Sequence, residues 1–222
     1  MAENELYVLR HAQSIGNATG DYDRSDHSDL SDRGRRQARQ LSESLAAVEP
    51  DVIAVSPTTR TQETIRPALK TTGQRGEIWP ELSEGCWHAE HMTERVDTIR
   101  DGDPIELTDE QAGSLTVASE AYPPQHPPGG ETYAEGLERI RLACDRIERQ
   151  FDDGCSVLVV GHAHLNARLL ELLLNIQPVG RFEFDNVGVT KLESADENVI
   201  ADRWISVANL DFRSATDSRS FP

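Results

Sequence analysis

Uninterrupted apolar runs alternate with helical periodicity through much of this chain. Leu6-Tyr7-Val8-Leu9, the segment Asp51-Val52-Ile53-Ala54-Val55-Ser56 and the segment Ser156-Val157-Leu158-Val159-Val160-Gly161 each hold a short apolar stretch without polar alternation. Such stretches fit parallel strands that are covered on both faces. From Leu30 to Val48 the pattern changes period, with Leu41, Leu45 and Val48 at i, i+4, i+7 among Arg, Gln and Glu, and predicts an amphipathic helix. Ser31 is its expected N-cap and Pro50 its stop. A second helix is expected from Pro57 through Leu69, and a third from Thr132 to Phe151 with Leu137, Ile140, Cys144 and Ile147 on one face. A fourth, Leu165 to Leu174, is rich in Leu and expected to be buried. The stretch from Arg181 to Val207 reads as strands, with Asp196-Glu197-Asn198 as a hairpin turn.

The order strand–helix–strand–helix, then strand–helix–strand, predicts an α/β three-layer sandwich with a mostly parallel central sheet. A length of 222 residues suits one domain over residues 1–222. Residues 81–130 break the rhythm: Pro104, Pro123, Pro124, Pro127 and Pro128 fall among many acids without a clear apolar period. They are expected to form an insertion that caps the site. The polar tail 213–222 is expected to fray.

Charge narrows the set of partners. A net charge of −17 repels nucleic acid and anionic membrane surfaces, so neither is an expected partner. Lys70 and Lys191 are the only lysines among 22 basic residues. An acidic surface poor in lysine suits high ionic strength, where self-repulsion is screened, although a preference for Arg over Lys codons gives the same bias. Cys86, Cys144 and Cys155 share no close spacing and read as free thiols rather than a disulfide frame or zinc site. No apolar run reaches the roughly 18 residues of a membrane span, and the acidic start Met-Ala-Glu-Asn-Glu lacks the pattern of a signal peptide. A soluble cytoplasmic protein is expected.

Candidate chemistry gathers where the apolar runs end. The first run delivers Arg10-His11-Ala12-Gln13-Ser14-Ile15-Gly16-Asn17 into a small polar loop. Ligands of open α/β sheets bind at the carboxyl ends of strands. An Arg beside a His suits an anionic substrate, because guanidinium clamps oxygens bidentately and imidazole can attack or carry a proton. A solvated sheet edge would give the same dipeptide. Arg60 falls just inside the helix expected after Ser56-Pro57, where free N–H groups and the helix dipole favour anions. His162 follows the Val157–Val160 run at a turn into another helix, and Leu82-Ser83-Glu84-Gly85 places a carboxylate in a loop. One sheet end is thus expected to collect Arg10, His11, Arg60, His162 and Glu84.

In this order the motifs resemble the histidine phosphatase superfamily, in its phosphoglycerate-mutase-like branch. The resemblance runs from about Leu6 to Leu192. It is carried by Arg10-His11-Ala12-Gln13-Ser14 with Asn17, Leu30-Ser31-Asp32-Arg33-Gly34 with Gln37-Ala38, and Ser56-Pro57 to Arg60 and Thr64. It continues through Leu82-Ser83-Glu84, Gly129-Gly130-Glu131, Val160-Gly161-His162, and Asn186 before Val189. It implies a phosphoglycerate-mutase-like fold and His11 as the residue that accepts a phosphoryl group. It implies that Arg10, Arg60 and His162 hold the phosphoryl oxygens, with Asn17 and the start of the last helix at Ala163 as further contacts. Ala163 stands where the acid-phosphatase branch carries an acid, so the resemblance gives the proton-donor role to Glu84, which should then be partly enclosed. No metal and no cofactor is implied. Ala12 and Ala163 replace the Gly that often follows each histidine, which limits these positions to negative φ.

Other residues have more ordinary readings beside the chemical one. His164 caps a helix or lines the pocket wall. His88 and His91 have the spacing of metal ligands without supporting donors. Glu131 supports the pocket or pairs with a helix dipole. Asp21, Asp23, Asp26 and Asp29 lack the Gly and the terminal Glu of a calcium loop. Trp79, Trp87 and Trp204 read as core or rim, with Trp87 close enough to Glu84 to shape a pocket. The expected activity is phosphomonoester hydrolysis through phospho-His11. A phosphoglycerate mutase is the rival, and a phosphate-binding protein without turnover is the third reading. Only Arg95 and Arg100 are basic between Gly85 and Gly130, which is poor in grip for a second anion and favours hydrolysis.

Overall fold

The computed structural model describes residues 4–22, 26–85, 103–126, 131–151, 154–194 and 204–210. Asp23, Cys86, Trp87, His88, His91, Arg95, Arg100, Pro127, Pro128, Gly129, Gly130, the 196–198 turn and the 213–222 tail lie outside these residues. The strands are β1 (Glu5–Arg10), β2 (Val52–Val55), β3 (Gly76–Ile78), β4 (Leu115–Val117), β5 (Ser156–Gly161), β6 (Val189–Ser194) and β7 (Trp204–Leu210). The helices are α1 (Ile15–Thr19), α2 (Asp32–Val48), α3 (Thr59–Thr72), α4 (Asp109–Ala112), α5 (Tyr133–Gln150) and α6 (Ala163–Leu173). Among the described residues no helix is long and apolar enough to cross a membrane.

The strands form one sheet in the order β4-β3-β2-β5-β1-β6-β7. β4, β3, β2, β5 and β1 pair in parallel, and β6 and β7 extend the sheet with antiparallel pairing. Alternate residues of β1 serve opposite cores. Leu6 and Val8 pack with Ile140, Ile147, Leu169 and Leu170 of α5 and α6, whereas Tyr7 and Leu9 pack with Leu41, Leu45, Ile65 and Leu69 of α2 and α3. That is the expected three-layer α/β arrangement. It also explains why the β1 run shows no polar alternation, since both faces are covered.

The expected helices form, with caps read from local chemistry. Ser31 Oγ accepts the N–H of Gly34 at 3.1 Å and caps α2. Thr132 and Glu135 form a reciprocal capping box at the start of α5. α3 runs on to Thr72 and ends at Gly73, whose φ of 74° suits the left-handed helix stop. α6 begins at Ala163, two residues before the expected Leu165, with His162 as its N-cap.

Two expectations are corrected. Within the 81–130 segment, read as a cap without periodic structure, Leu115–Val117 forms the edge strand β4, and Pro80–Leu82 forms a 3-10 turn at the segment's start. Three-residue elements are too short to show a period. The 181–188 stretch, read as strand, is not one; pairing starts at Val189. Its backbone groups go elsewhere: the Glu171 carboxylate accepts the N–H groups of Gly180 and Arg181 at 2.8 and 2.7 Å. The Val187 N–H donates to the Arg10 carbonyl at 3.2 Å, and Gly188 N–H closes a turn onto Asp185 at 2.8 Å.

Candidate active site

Register brings the two histidines together. Arg10 of β1 lies opposite Gly161 of β5, so the residues that follow, His11 and His162, leave adjacent strands at the same level. The connections out of β1 and β5 then run to opposite sides, β1 by way of α2 to β2 and β5 by way of α6 to β6, which opens a crevice at their carboxyl ends. The His11 N–H donates to the Gly161 carbonyl at 3.0 Å, and the two rings meet edge to face with centroids 5.3 Å apart.

The hydrogen bonds assign the protons. His11 Nδ1 lies 2.7 Å from the Ala12 carbonyl, which can only accept, so Nδ1 carries the proton and Nε2 keeps its lone pair. That Nε2 accepts from Arg60 Nε at 3.2 Å. His162 Nδ1 accepts from Arg60 Nε at 3.2 Å and lies 3.0 Å from Arg60 Nη2, which leaves its Nε2–H to donate to Ser56 Oγ at 2.7 Å. Burial, then the charge of Arg60, pushes the pKa of both imidazoles well below the usual histidine range. Both rings are therefore neutral near pH 7.

Two guanidiniums border the rings. Arg10 Nη1 donates to the Phe184 carbonyl at 2.5 Å, while its buried Nε has no hydrogen-bond partner among the described residues. Arg60, the second residue of α3, is fixed through its own backbone: Thr64 Oγ1 donates to its carbonyl at 2.6 Å and accepts the Ala12 N–H at 2.9 Å. One threonine thus ties the His11 loop to the helix that carries Arg60. Burial lowers the pKa of both guanidiniums from the usual value, and Glu84 opposes that shift.

Glu84 sits at the head of α6. Its Oε1 accepts the Leu165 N–H at 3.2 Å and its Oε2 lies 3.7 Å from His162 Nδ1. At 26 % side-chain exposure it is partly enclosed, as its expected role requires. The turn before it rests on Arg139, whose Nη1 donates to the carbonyls of Glu81 and Ser83 at 2.7 and 2.8 Å. Arg139 is buried against Glu131, with Nε donating to Glu131 Oε2 at 2.8 Å and Nη2 to Oε1. Glu131 therefore supports the site through Arg139. Arg146 lies over the Trp79 ring at 4.1 Å and reaches Glu81 Oε1 at 3.2 Å beneath the same turn.

The structure brings Arg10, His11, Arg60, His162 and Glu84 to one point. Asn17 lies one link away: its Oδ1 accepts from Asn186 Nδ2, which also donates to the His11 carbonyl, both at 3.1 Å. Asn17 Nδ2 donates to the Tyr22 hydroxyl at 3.1 Å. Ala163 opens α6 and, with exposed His164, lines an adjoining cavity of about 400 Å3. Ala12 and Ala163 stay out of positive φ, where the non-glycine residues among those described are Glu49, Asn175 and Val187, so a Cβ after each histidine is accommodated. Asp21 and Asp29 are exposed, and Trp79 is fully buried core. Sequence reading missed the supports, Ser56 under His162 and Arg139 under Glu84. The Ser56-Pro57 and Glu131 motifs were the available signals.

The profile of the histidine phosphatase superfamily (branch 1) matches residues 6–206. An adenosylcobalamin/alpha-ribazole phosphatase of Salmonella typhimurium is 25% identical over 182 residues, covering 81% of this chain and 84% of that protein. A 2,3-bisphosphoglycerate-dependent phosphoglycerate mutase 2 of Gloeobacter violaceus is 27% identical over 169 residues, covering 75% and 74%. The alpha-ribazole phosphatase of Shigella flexneri shares the fold at a TM-score of 0.59 and 22% identity, over 86% of this chain and 91% of that one. With the profile spanning most of its length, the chain belongs to the histidine phosphatase superfamily, branch 1.

Proposed function

We propose that the chain is a metal-independent phosphomonoesterase that works through a phosphohistidine on His11. The observation that carries this reading is the convergence of His11 Nε2 and His162 Nδ1 on Arg60 Nε, at 3.2 Å each. A neutral imidazole with its Nδ1 proton tied to the Ala12 carbonyl presents a lone pair to an electrophile held by the same guanidinium. The Arg10 Nε, buried and without a partner among the described residues, is a second donor suited to a phosphoryl oxygen. Arg10 and Arg60 supply the charge stabilisation that phosphoryl transfer needs.

In the proposed reaction the His11 Nε2–P bond forms as the P–O bond to the alcohol breaks, and Glu84 gives its proton to the departing oxygen. His162, whose bare Nδ1 accepts from Arg60, orients that guanidinium toward the transferring group, and the N–H at Ala163 and the amide of Asn17 add neutral contacts. Water then attacks phosphorus, Glu84 takes its proton, and the N–P bond breaks to release phosphate and restore His11. Among the relatives, the Salmonella typhimurium protein is named as an adenosylcobalamin/alpha-ribazole phosphatase, which supports hydrolysis of a small phosphoester. The mutase of Gloeobacter violaceus keeps a second outcome open, in which the phosphoryl group returns to a bound acceptor. We read the acidic surface as fitted to high ionic strength.

The test is phosphate release from p-nitrophenyl phosphate in EDTA, with trapping of an acid-labile phosphoenzyme. Activity with a trapped intermediate that His11→Ala abolishes is expected. No activity on a broad phosphoester panel would sink the reading, and interconversion of 2- and 3-phosphoglycerate faster than phosphate release would replace it with the mutase.

A further inference from the structure

The cavity beside the proposed phosphoryl site has a composition that holding a phosphoryl group does not require. The first turns of α6, from Ala163 to Arg168, form one side and residues 180–185 the other, around about 400 Å3, a size ordinary for a small-molecule site. Its place follows from two bonds. The Leu165 N–H fixes the Glu84 carboxylate at the head of α6, and Arg10 Nη1 holds the carbonyl of Phe184 in the opposite side. The bridging oxygen of an ester must come within reach of Glu84, so the alcohol part it carries has this cavity as its neighbour.

The charges of the lining are uneven. Arg168 is buried, donates from Nε to the Tyr133 hydroxyl at 3.0 Å, and lies 4.0 Å from the buried Glu171 carboxylate, which offsets its charge. Glu183 and Asp185 are exposed carboxylates, and Asp185 lies in the field of Arg10. Between them, half-buried Phe182 and buried Phe184 give the cavity an apolar wall. An anionic group placed here meets the Glu183 and Asp185 carboxylates, and among the described lining residues the one guanidinium, that of Arg168, is offset by Glu171. A neutral or cationic group with an apolar face meets contacts that suit it.

We propose that this cavity receives the alcohol part of the substrate and selects monophosphate esters whose alcohol is uncharged or cationic and bears an apolar ring or chain. Esters that carry a carboxylate or a second phosphate are selected against. The proposal rests on the phosphatase reading above and names its substrate class.

The experiment compares kcat/KM of the full chain for benzyl phosphate, phosphocholine and 3-phosphoglycerate, all alkyl esters. Benzyl phosphate and phosphocholine are expected to exceed 3-phosphoglycerate by about tenfold or more. Glu183→Lys is expected to narrow that ratio by about tenfold and Glu183→Gln by less, while the inhibition constant of inorganic phosphate stays within about twofold. A wild-type preference for 3-phosphoglycerate, or a ratio that neither variant moves, overturns the proposal. If p-nitrophenyl phosphate is turned over through a trapped phosphoenzyme in either case, the phosphatase reading stands and only the cavity assignment fails. No turnover of any ester and no phosphoenzyme overturns both.

Discussion

Arg139 donates from Nη1 to the carbonyl oxygen of Ser83 at 2.8 Å, one residue before Glu84. The same nitrogen holds the Glu81 carbonyl at 2.7 Å, and the rest of the guanidinium is paired with buried Glu131. The loop that carries Glu84, the proposed proton donor, is thereby mounted on a helix, α5.

Arg139→Met leaves Glu131 buried without its partner, which is expected to cost about 3–5 kcal/mol in a urea titration. Glu131→Gln is the milder variant, because it keeps an acceptor for the guanidinium. With Glu84 displaced, kcat on an alkyl phosphate is expected to fall roughly 10–100-fold. The loss on p-nitrophenyl phosphate is expected to be smaller, since that leaving group needs little protonation. An equal loss on both esters would show that Arg139 acts on stability alone.

The sheet centre and the cluster at its carboxyl end were legible because both are local signals. β1 and β5 are apolar on both faces, and Arg10-His11 and Gly161-His162 follow their last apolar positions. β3 and β4 were not legible, being three residues each. Phe182-Glu183-Phe184 imitates strand alternation, yet Glu171 and Arg10 take up the backbone groups that a strand would pair. Ser56 and Arg139 escaped notice as supports because their partners, His162 and the Glu81–Ser83 turn, lie 106 and 56–58 residues away. Contacts of that kind leave no period in the chain.

Ser56 Oγ is 2.7 Å from the buried His162 Nε2. Ser56→Ala removes the acceptor and leaves an unsatisfied buried N–H, a loss of about 1–3 kcal/mol. The ring then turns toward the other hydroxyl in range, Thr58 Oγ1 at 3.5 Å. kcat/KM is expected to fall roughly tenfold, with a smaller change for the double variant Ser56→Ala/His162→Ala relative to His162→Ala. Additive losses in that cycle would show that the hydroxyl does not act through His162.

Gly34 is required by approach and not by φ. A Cβ there would lie 2.0 Å from the Gln13 carbonyl oxygen, in the loop that follows His11. The Ser31 N–H also donates to that carbonyl, at 3.0 Å, so the backbones are held in contact. Gly34→Ala is expected to destabilise by about 1–3 kcal/mol and to lower activity by moving the His11 loop, both checked on the purified variant. Wild-type stability would mean that α2 can shift away freely.

Glu49 presents the opposite case. It ends α2 at a φ of 44°, is exposed, and its backbone N–H reaches the Leu45 carbonyl. Left-handed backbone costs a non-glycine residue about 1–2 kcal/mol, against which the added freedom of glycine in the unfolded chain weighs roughly 0.4–1. Glu49→Gly is therefore expected to raise stability by about 0.5–1 kcal/mol at unchanged kcat. A lower unfolding midpoint would refute the balance of those two effects.

His11 and His162 make the folded chain sensitive to acid. Burial, then Arg60, holds both imidazoles well below the usual range, whereas in the unfolded chain each titrates near about 6.5. Below that pH the unfolded state binds protons that the folded state refuses. Stability therefore falls as pH drops through about 6.5, and the penalty is absent above it. The urea midpoint of the wild type is expected to decline between about pH 7 and pH 5 more steeply than that of His162→Gln, which has one such group fewer. Inorganic phosphate should reverse part of the decline, since an anion between Arg10 and Arg60 offsets the charge that disfavours imidazolium. Parallel slopes for the two proteins, with phosphate making no difference, would mean that His162 titrates as it does in water and that Arg60 does not bear on it.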